Sequence, residues 1–500
     1  MTDPPGGERE RRLQKLDALR AAGTDPYPVR FDRTHTAEQL HQRWDGIAAG
    51  AETGDPVRVA GRILLLRRQG KLTFATLRDS TGTVQLFVSR ADVGEATHSR
   101  FDDLDLGDWI GVRGEVMKTR KGELSVKVQS FELLAKALRP LPDKWHGLAD
   151  VDTRFRQRYV DLIANDEARR VFAVRFGVVA ELRRFLSERG FVEVETPVLH
   201  LQAGGAAARP FVTHHNALDM PLRLRIALEL HLKRLLVAGY ERVFEIGRVF
   251  RNEGLSTRHN PEFTMLELYE AYADYTDMMT LTEELVSSCA RATVATTVVN
   301  VDGREIDLAP PWPRRTMLDL IEEYAGRRVH PSQPIAELGA ICDELGVARE
   351  PDWGSGKLVL ELYEKLVEPN LVGPVFVLDY PREVSPLARV HRDDPALVER
   401  FEPVVLGREI GNAFSELNDP IDQRERFEAQ AALADAGDEE AHGVDEDYVR
   451  ALEYGLPPCG GLGIGVDRLV MLIAGVSTIR EVILFPHLRP EGPDEERFAF

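Results

Sequence analysis

The sequence predicts an α+β protein in which a small five-stranded barrel precedes an antiparallel sheet flanked by helices. Two observations carry this. Five short β-rich runs follow one another between residues 57 and 131, separated by Gly or Asp turns. From residue 167 onward, amphipathic helices lead into strands that come in runs, the pattern of an antiparallel sheet and not of alternating parallel units. At 500 residues the chain has material for about two to four domains. Its 43% apolar and 29% charged residues fit neither a disordered, a fibrous nor a membrane composition.

Taken in order, Glu8 to Ala22 reads as a charged helix stopped by Gly23, Pro26 and Pro28, an exposed N-terminal helical arm within residues 1–55. The strands Val57–Leu66, Leu72–Arg78, Val84–Val88, Trp109–Met117 and Leu124–Phe131 fill a domain at 56–140. Five strands over this length favour an OB-fold, a barrel that commonly binds oligonucleotides across one face; a barrel without a ligand is the alternative. Pro140, Pro142 and Gly147 mark a linker at 141–155. The second domain, 156–500, opens with a long helix, Glu167–Gly190, and the strand Phe191–Thr196, which Pro197 stops. A helix near Ala227–Ala238 and strands at Arg242–Asn252 and Phe263–Ala271 follow. A mostly helical insertion is expected at about 276–373, then strands at Phe376–Tyr380 and Phe401–Leu417.

No apolar run approaches the ~18 residues of a spanning helix, and the polar first dozen residues lack the apolar core of a secretory signal, so a cytoplasmic protein with no membrane contact is expected. Cys289, Cys342 and Cys459 lie far apart without a C-x-x-C spacing, which argues against a disulfide framework and a structural zinc site. The net charge of −19 speaks against a general nucleic-acid coat, yet residues 56–140 hold 15 Lys and Arg against 10 Asp and Glu. A mildly basic module on an acidic body suits a polyanion gripped locally; a chance fluctuation is the other reading.

Familiar phosphate loops are absent. Gly354-Ser-Gly-Lys357 fails as a Walker A because position 351 is Pro and Leu358 follows the lysine. Gly461-Leu-Gly-Ile-Gly465 lacks the upstream strand of a dinucleotide fingerprint. The adjacent His214 and His215 do not place two metal ligands on one helix face. More informative is Phe250-Arg-Asn-Glu-Gly254 with the strand that follows. Residues two apart in a strand share a face, so Phe263, Met265, Glu267 and Tyr269 point one way, and Asn412, Phe414 and Glu416 form a second such face. A carboxylate among aromatics needs a cationic partner. Two such strands fit a pocket for an ammonium group or an ordinary ion-paired sheet, and the pattern alone leaves both open.

Phe250-Arg-x-Glu253 with its loop and strand resembles motif 2 of the class II aminoacyl-tRNA synthetases. Gly461-Leu-Gly-Ile-Gly-Val-Asp-Arg468 resembles motif 3, and the helix and strand ending at Pro197 resemble motif 1. The blocks Gly204-Gly-Ala-Ala-Ala-Arg-Pro210, Arg408-Glu-Ile-Gly-Asn412 and Phe414-Ser-Glu-Leu-Asn-Asp419 are similar to those of the bacterial lysyl-tRNA synthetases, and the likeness runs to Pro490.

The resemblance implies a class II catalytic sheet, a homodimer formed through the motif 1 region, and ATP-dependent activation of L-lysine followed by its transfer to tRNA(Lys). It implies that Arg251 bridges the amino-acid carboxylate and the α-phosphate of ATP, that Phe263 stacks on adenine with Glu253 and His259 helping to place the nucleotide, and that Arg468 takes the γ-phosphate. Glu402 and Glu409 would hold Mg²⁺. Because strict alternation puts these two on opposite faces, a break is expected near Gly407, and a further irregularity near Gly411 if Glu409 and Asn412 share the site. Glu229 and the backbone at Gly205 would hold the α-ammonium, with Asn412 at the carboxylate. Glu267, Tyr269, Phe414 and Glu416 would line the pocket for the ε-ammonium, where an aspartate or asparagine side chain would be costly. In the barrel, Phe74 and Gln85 match positions that stack on and hydrogen-bond the central anticodon uridine, with Glu123 nearby; Arg62, Lys118, Arg120 and Lys121 are candidates for phosphate contacts.

The chain departs from the bacterial pattern at Leu228, where proline is usual, at Arg223 (tyrosine), Ala413 (glycine) and Cys459 (threonine). Leu228 adjoins Glu229 and bears on lysine affinity or selectivity. One rival reading is an enzyme that activates lysine or an analogue for another acceptor; the retained barrel argues against it. Another is a non-catalytic RNA-binding protein, which gives Arg251, Glu402, Glu409 and Arg468 no reason to occur together.

Overall fold

In the computed structural model, residues 7–142, 148, 150–202, 204–435 and 443–489 are described; most of the tract Asp143–Ala149 within the expected linker lies outside them. The chain divides into two compact units, residues 1–149 and 150–500.

In the first unit the strands Glu52–Gln69, Leu72–Arg78, Thr83–Ser89, Trp109–Lys118 and Leu124–Ala135 close into a barrel in the order first, second, third, fifth, fourth. All pairings are antiparallel except the third with the fifth, which closes the barrel. Alternation sends Val57, Val59, Ala75, Leu77, Leu86 and Val126 inward. The N-terminal helix Glu8–Ala21 is no exposed arm: Arg12 and Leu16 are buried, and the Arg12 guanidinium donates to the carbonyls of Leu106, Ala137 and Arg139. A further short helix, Ala37–Trp44, was not expected. Its signal is the Thr36–Gln39 capping box, here reinforced by Asp79 accepting from the Ala37 N–H at 2.8 Å.

The second unit is built on an eight-stranded sheet. Its order is Arg314–Thr316, Val375–Leu378, Arg400–Val404, Gly411–Ser415, Cys459–Gly465, Glu262–Ala271, Arg242–Phe250 and Val192–Glu193. The interior pairings are antiparallel, as expected, while each edge strand pairs parallel to its neighbour. The helix Asp166–Glu188, capped by Asn165, packs with Tyr275–Val294 and Val466–Ala474 across one face and buries Val178, Leu182, Leu285, Val286 and Leu469. The other face keeps its polar side chains and carries the helix Glu229–Val237. Residues 276–373 are mostly helical, and parts of the stretch are built into the core and the sheet. Most of the helix Tyr275–Val294 lies in that core, Val298–Val301 and Arg304–Asp307 form a hairpin, and Arg314–Thr316 is the sheet's edge. No helix among the described residues is long and apolar enough to cross a membrane.

Candidate active site

The open face of the sheet gets its shape from glycine. On the central strand Cys459–Gly465, the positions facing the cleft are Gly461, Gly463 and Gly465. Tyr269 and Phe414 flank Gly461, and Glu267 and Asn412 flank Gly463. A Cβ at residue 461 would lie 1.9 Å from Glu416 Oε1 and 2.5 Å from the Tyr269 ring. The glycines resembling a nucleotide fingerprint therefore form a strand, the floor over which neighbouring side chains lean.

A cavity of about 1020 Å³ lies above this floor. It is lined by every candidate of the second unit: Gly205, Glu229, Arg251, Glu253, His259, Phe263, Glu267, Tyr269, Glu402, Glu409, Asn412, Phe414, Glu416 and Arg468. At one end the carboxylates of Glu229, Glu267 and Glu416 are buried beside Tyr269 and Phe414. Burial first, and then the charge of Glu229, push Glu267 up to about 7. Opposing this, Glu267 accepts from the Leu228 N–H at 2.9 Å, and the Tyr269 hydroxyl lies 3.3 Å away. The Leu228 departure thus supplies a donor that proline lacks. Gly205, with φ +88, brings its backbone against Ala227 and Glu229, where a Cβ would press both.

At the other end stand the arginines. Arg251 lies 5.2 Å over the Phe263 ring, and its buried Nε has no hydrogen-bond partner. Arg468 donates to the Glu409 carbonyl at 2.8 Å, and its neighbour Asp467 is fixed by Arg175 at 2.6 Å and by the Thr264 N–H. Burial, then Arg468, lower His259 below its ordinary value, so its imidazole is neutral at pH 7.

The break near Gly407 is a tight turn in which Leu406 (φ 53) and Gly407 (φ 63) are both left-handed. Phe401 faces Ala413 while Val404 faces Glu409, so the second strand holds one extra residue between Glu409 and Ala413. This bulge lets Glu402, Glu409 and Asn412 face one cavity. Burial, then Glu409, push Glu402 up to about 7 against the pull of Arg400. The two carboxylates facing one cavity form an oxygen-rich site suited to a hard divalent cation. Among the described residues no group of three or more His, Cys, Asp or Glu could hold a metal ion, so a cation here would take the rest of its coordination from substrate or water oxygens.

Two site residues escape the sequence reading. Arg400 donates to Asn412 Oδ1 at 2.8 Å and to Glu402 at 2.6 Å; its place two residues before Glu402 on a strand is the signal that was there. Lys233, one helical turn after Glu229, contacts Glu229 and Glu416.

In the barrel unit Phe74 pairs with Phe87 and Thr76 with Gln85, so the four share the outer face. The phenylalanine rings meet edge-on at 5.5 Å, and Gln85 donates to Ser125 Oγ at 2.9 Å, beside the exposed Glu123. Arg62 and Lys118 are engaged internally, by Gly107 O and Trp109 and by Asp45 O; Arg120 and Lys121 are exposed.

Comparison with known proteins gives a consistent answer. Residues 150–489 match the family described as class II tRNA synthetases (D, K and N), and residues 57–134 match the OB-fold nucleic acid binding domain. The chain is 55% identical over 480 residues to a lysine–tRNA ligase of Moorella thermoacetica, covering 96% of this chain and 97% of that protein. It is 53% identical over 501 residues to one of Nostoc punctiforme (98% and 89%), and 54% identical over 486 residues to one of a Synechococcus strain (97% and 99%). With that identity over nearly its full length, the chain belongs to the class II tRNA synthetases, in the lysine–tRNA ligase family.

Proposed function

We propose that the protein activates L-lysine with ATP and transfers the lysyl group to the 3′ end of tRNA(Lys). The observation that carries this is the buried end of the cavity, where Glu229, Glu267 and Glu416 meet Tyr269 and Phe414 beside a cleft lined by Arg251 and Arg468. Desolvated carboxylates attract a cation and reject an acidic or amide side chain, so lysine is selected over aspartate and asparagine.

In the first step a lysine carboxylate oxygen attacks the α-phosphorus of ATP. The new O–P bond forms as the bond to the β-phosphate oxygen breaks, giving lysyl-adenylate and pyrophosphate. The nucleophile is already an anion, so no protein base is required. Arg251, with its unpaired Nε, would hold the carboxylate beside the α-phosphate and offset charge gathering at phosphorus. Phe263, Glu253 and His259 would seat the nucleotide, and Arg468 the γ-phosphate. Glu229 and the Gly205 backbone would take the α-ammonium, Asn412 the carboxylate, and Glu267, Tyr269 and Glu416 the ε-ammonium. Glu402 and Glu409 would hold Mg²⁺, whose chemistry there is to neutralise phosphate charge. In the second step a terminal ribose hydroxyl of the tRNA attacks the lysyl carbonyl and AMP leaves.

The barrel at 56–140 would read the anticodon, with Phe74 stacking on a base and Gln85 and Glu123 beside it. Exposed Phe176, Val192, Val198 and Leu199, in and just after the motif 1 segment, support a homodimer. A cytoplasmic location fits these roles. Charging of a tRNA(Lys) transcript tests the whole reading: acid-stable radiolabelled lysine should appear on the RNA only with ATP and Mg²⁺ present. Lysyl-adenylate formed without any charging would contradict the tRNA step.

A further inference from the structure

Lys233 is fully buried, yet it carries an ammonium inside the acidic end of the site. Its Nζ donates to Glu229 Oε1 at 2.6 Å and touches Glu416 Oε2, and it lies 5.8 Å from the Tyr269 ring centre and 5.4 Å from that of Phe414. Glu229 and Glu416 line the cavity, and Lys233 does not, so it meets both carboxylates from behind the wall. Neither Glu416 oxygen accepts a hydrogen bond of ordinary geometry. Lys233 is therefore the cation that this carboxylate has within the chain at this contact. Burial raises Glu229 and Glu416 above the ordinary carboxylate range, and Lys233 is the largest influence pulling each back down. Burial likewise works against the Lys233 charge, but the two carboxylates overcome it and hold the ammonium well above the usual lysine range.

Charge counting shows what this arrangement does. Three buried carboxylates face a substrate with two ammonium groups, which leaves one carboxylate without an ammonium partner at this end of the site. Lys233 supplies the third ammonium. Resting on the lysine reading of the site, we propose that Lys233 is a positioning residue: a fixed internal counter-ion that favours the ionised forms of Glu229 and Glu416 and holds them aimed at the substrate's ammonium groups. It is not a competitor for the ammonium seat, because it approaches from the protein side.

The test is lysine- and ATP-dependent pyrophosphate exchange by the full chain and by Lys233→Met, which keeps the length and loses the charge. KM for lysine should rise roughly 100-fold, the loss expected when a buried charge is left unpaired, with KM for ATP changed less than about twofold. It should also gain a pH dependence. Without the counter-ion a carboxylate takes up a proton that lysine must displace, so the variant's KM keeps falling above about pH 8, where the parent levels off. An unchanged KM, or a raised one with the parent's pH profile, overturns the proposal, and tighter lysine binding would make Lys233 a competitor. Should the Met variant fail to fold, Lys233→Ala with added propylammonium decides. Recovery of lysine-dependent exchange with propylammonium and not with 1-butanol supports the counter-ion, whereas equal recovery with both, or with neither, overturns it. A parent protein without lysine-dependent exchange would instead sink the functional reading, and this inference with it.

Discussion

Burial and the charge of Glu229 leave Glu267 near 7 against its ordinary value of 4.5, so lysine affinity should follow its ionisation. A raised folded-state value adds stability below the ordinary value and loses it as pH rises through about 7. On the proposed function lysine binds the carboxylate form of Glu267 and offsets that loss. The rise in Tm on adding saturating lysine should therefore be larger at pH 8 than at pH 6, and an equal rise at both would place the titration elsewhere. The Leu228 N–H pulls Glu267 the other way. Leu228→Pro removes that donor, and a loss of about 1.4 kcal/mol moves the midpoint of the lysine KM profile up by about one pH unit. A profile that stays in place would assign the tuning to another group.

At the scale of elements, the strand Cys459–Gly465 sets the room available. Gly461→Ala puts a methyl group against the Glu416 carboxylate and the Tyr269 ring. Displacing a charged hydrogen-bonding group costs roughly 1.5–3 kcal/mol, so kcat/KM for lysine should fall about 10- to 150-fold while ATP binding by calorimetry holds. That strand was not read as one in the sequence, but much of the sheet beside it was legible. Period-two alternation placed Glu267, Tyr269, Asn412, Phe414 and Glu416, because a strand's geometry is local. The break at Gly407 was also legible, since Glu402 and Glu409, seven positions apart, fall on opposite faces under strict alternation and need a break to share a site. What stayed hidden was carried by tertiary contact. Arg175 reaching Asp467 across 292 positions has no local signature. The parallel edge strand Arg314–Thr316 is three residues long, too short for its pattern to stand out from the helices around it. Lys233 was missed for a different reason: a lysine in an amphipathic helix reads as a solvated charge until the helix is seen to lie across two carboxylates.

For the whole molecule, the proposed function gives the anticodon to the barrel and adenylation to the second unit, so a change in the barrel should leave adenylation untouched. Phe74→Ala removes a stacking face worth roughly 1–3 kcal/mol per base, and KM for tRNA(Lys) should rise about 5- to 150-fold with lysine-dependent exchange unaltered. A matching fall in exchange would mean that the aromatic pair Phe74 and Phe87 serves the barrel's own stability. The most direct measurement is amino-acid-dependent exchange of labelled pyrophosphate into ATP, surveying the twenty amino acids with ornithine and β-lysine, beside a Glu416→Gln control. Lysine alone should drive exchange, and the control should abolish it; silence with lysine, or full exchange in the control, would contradict the acidic pocket as the seat of selection.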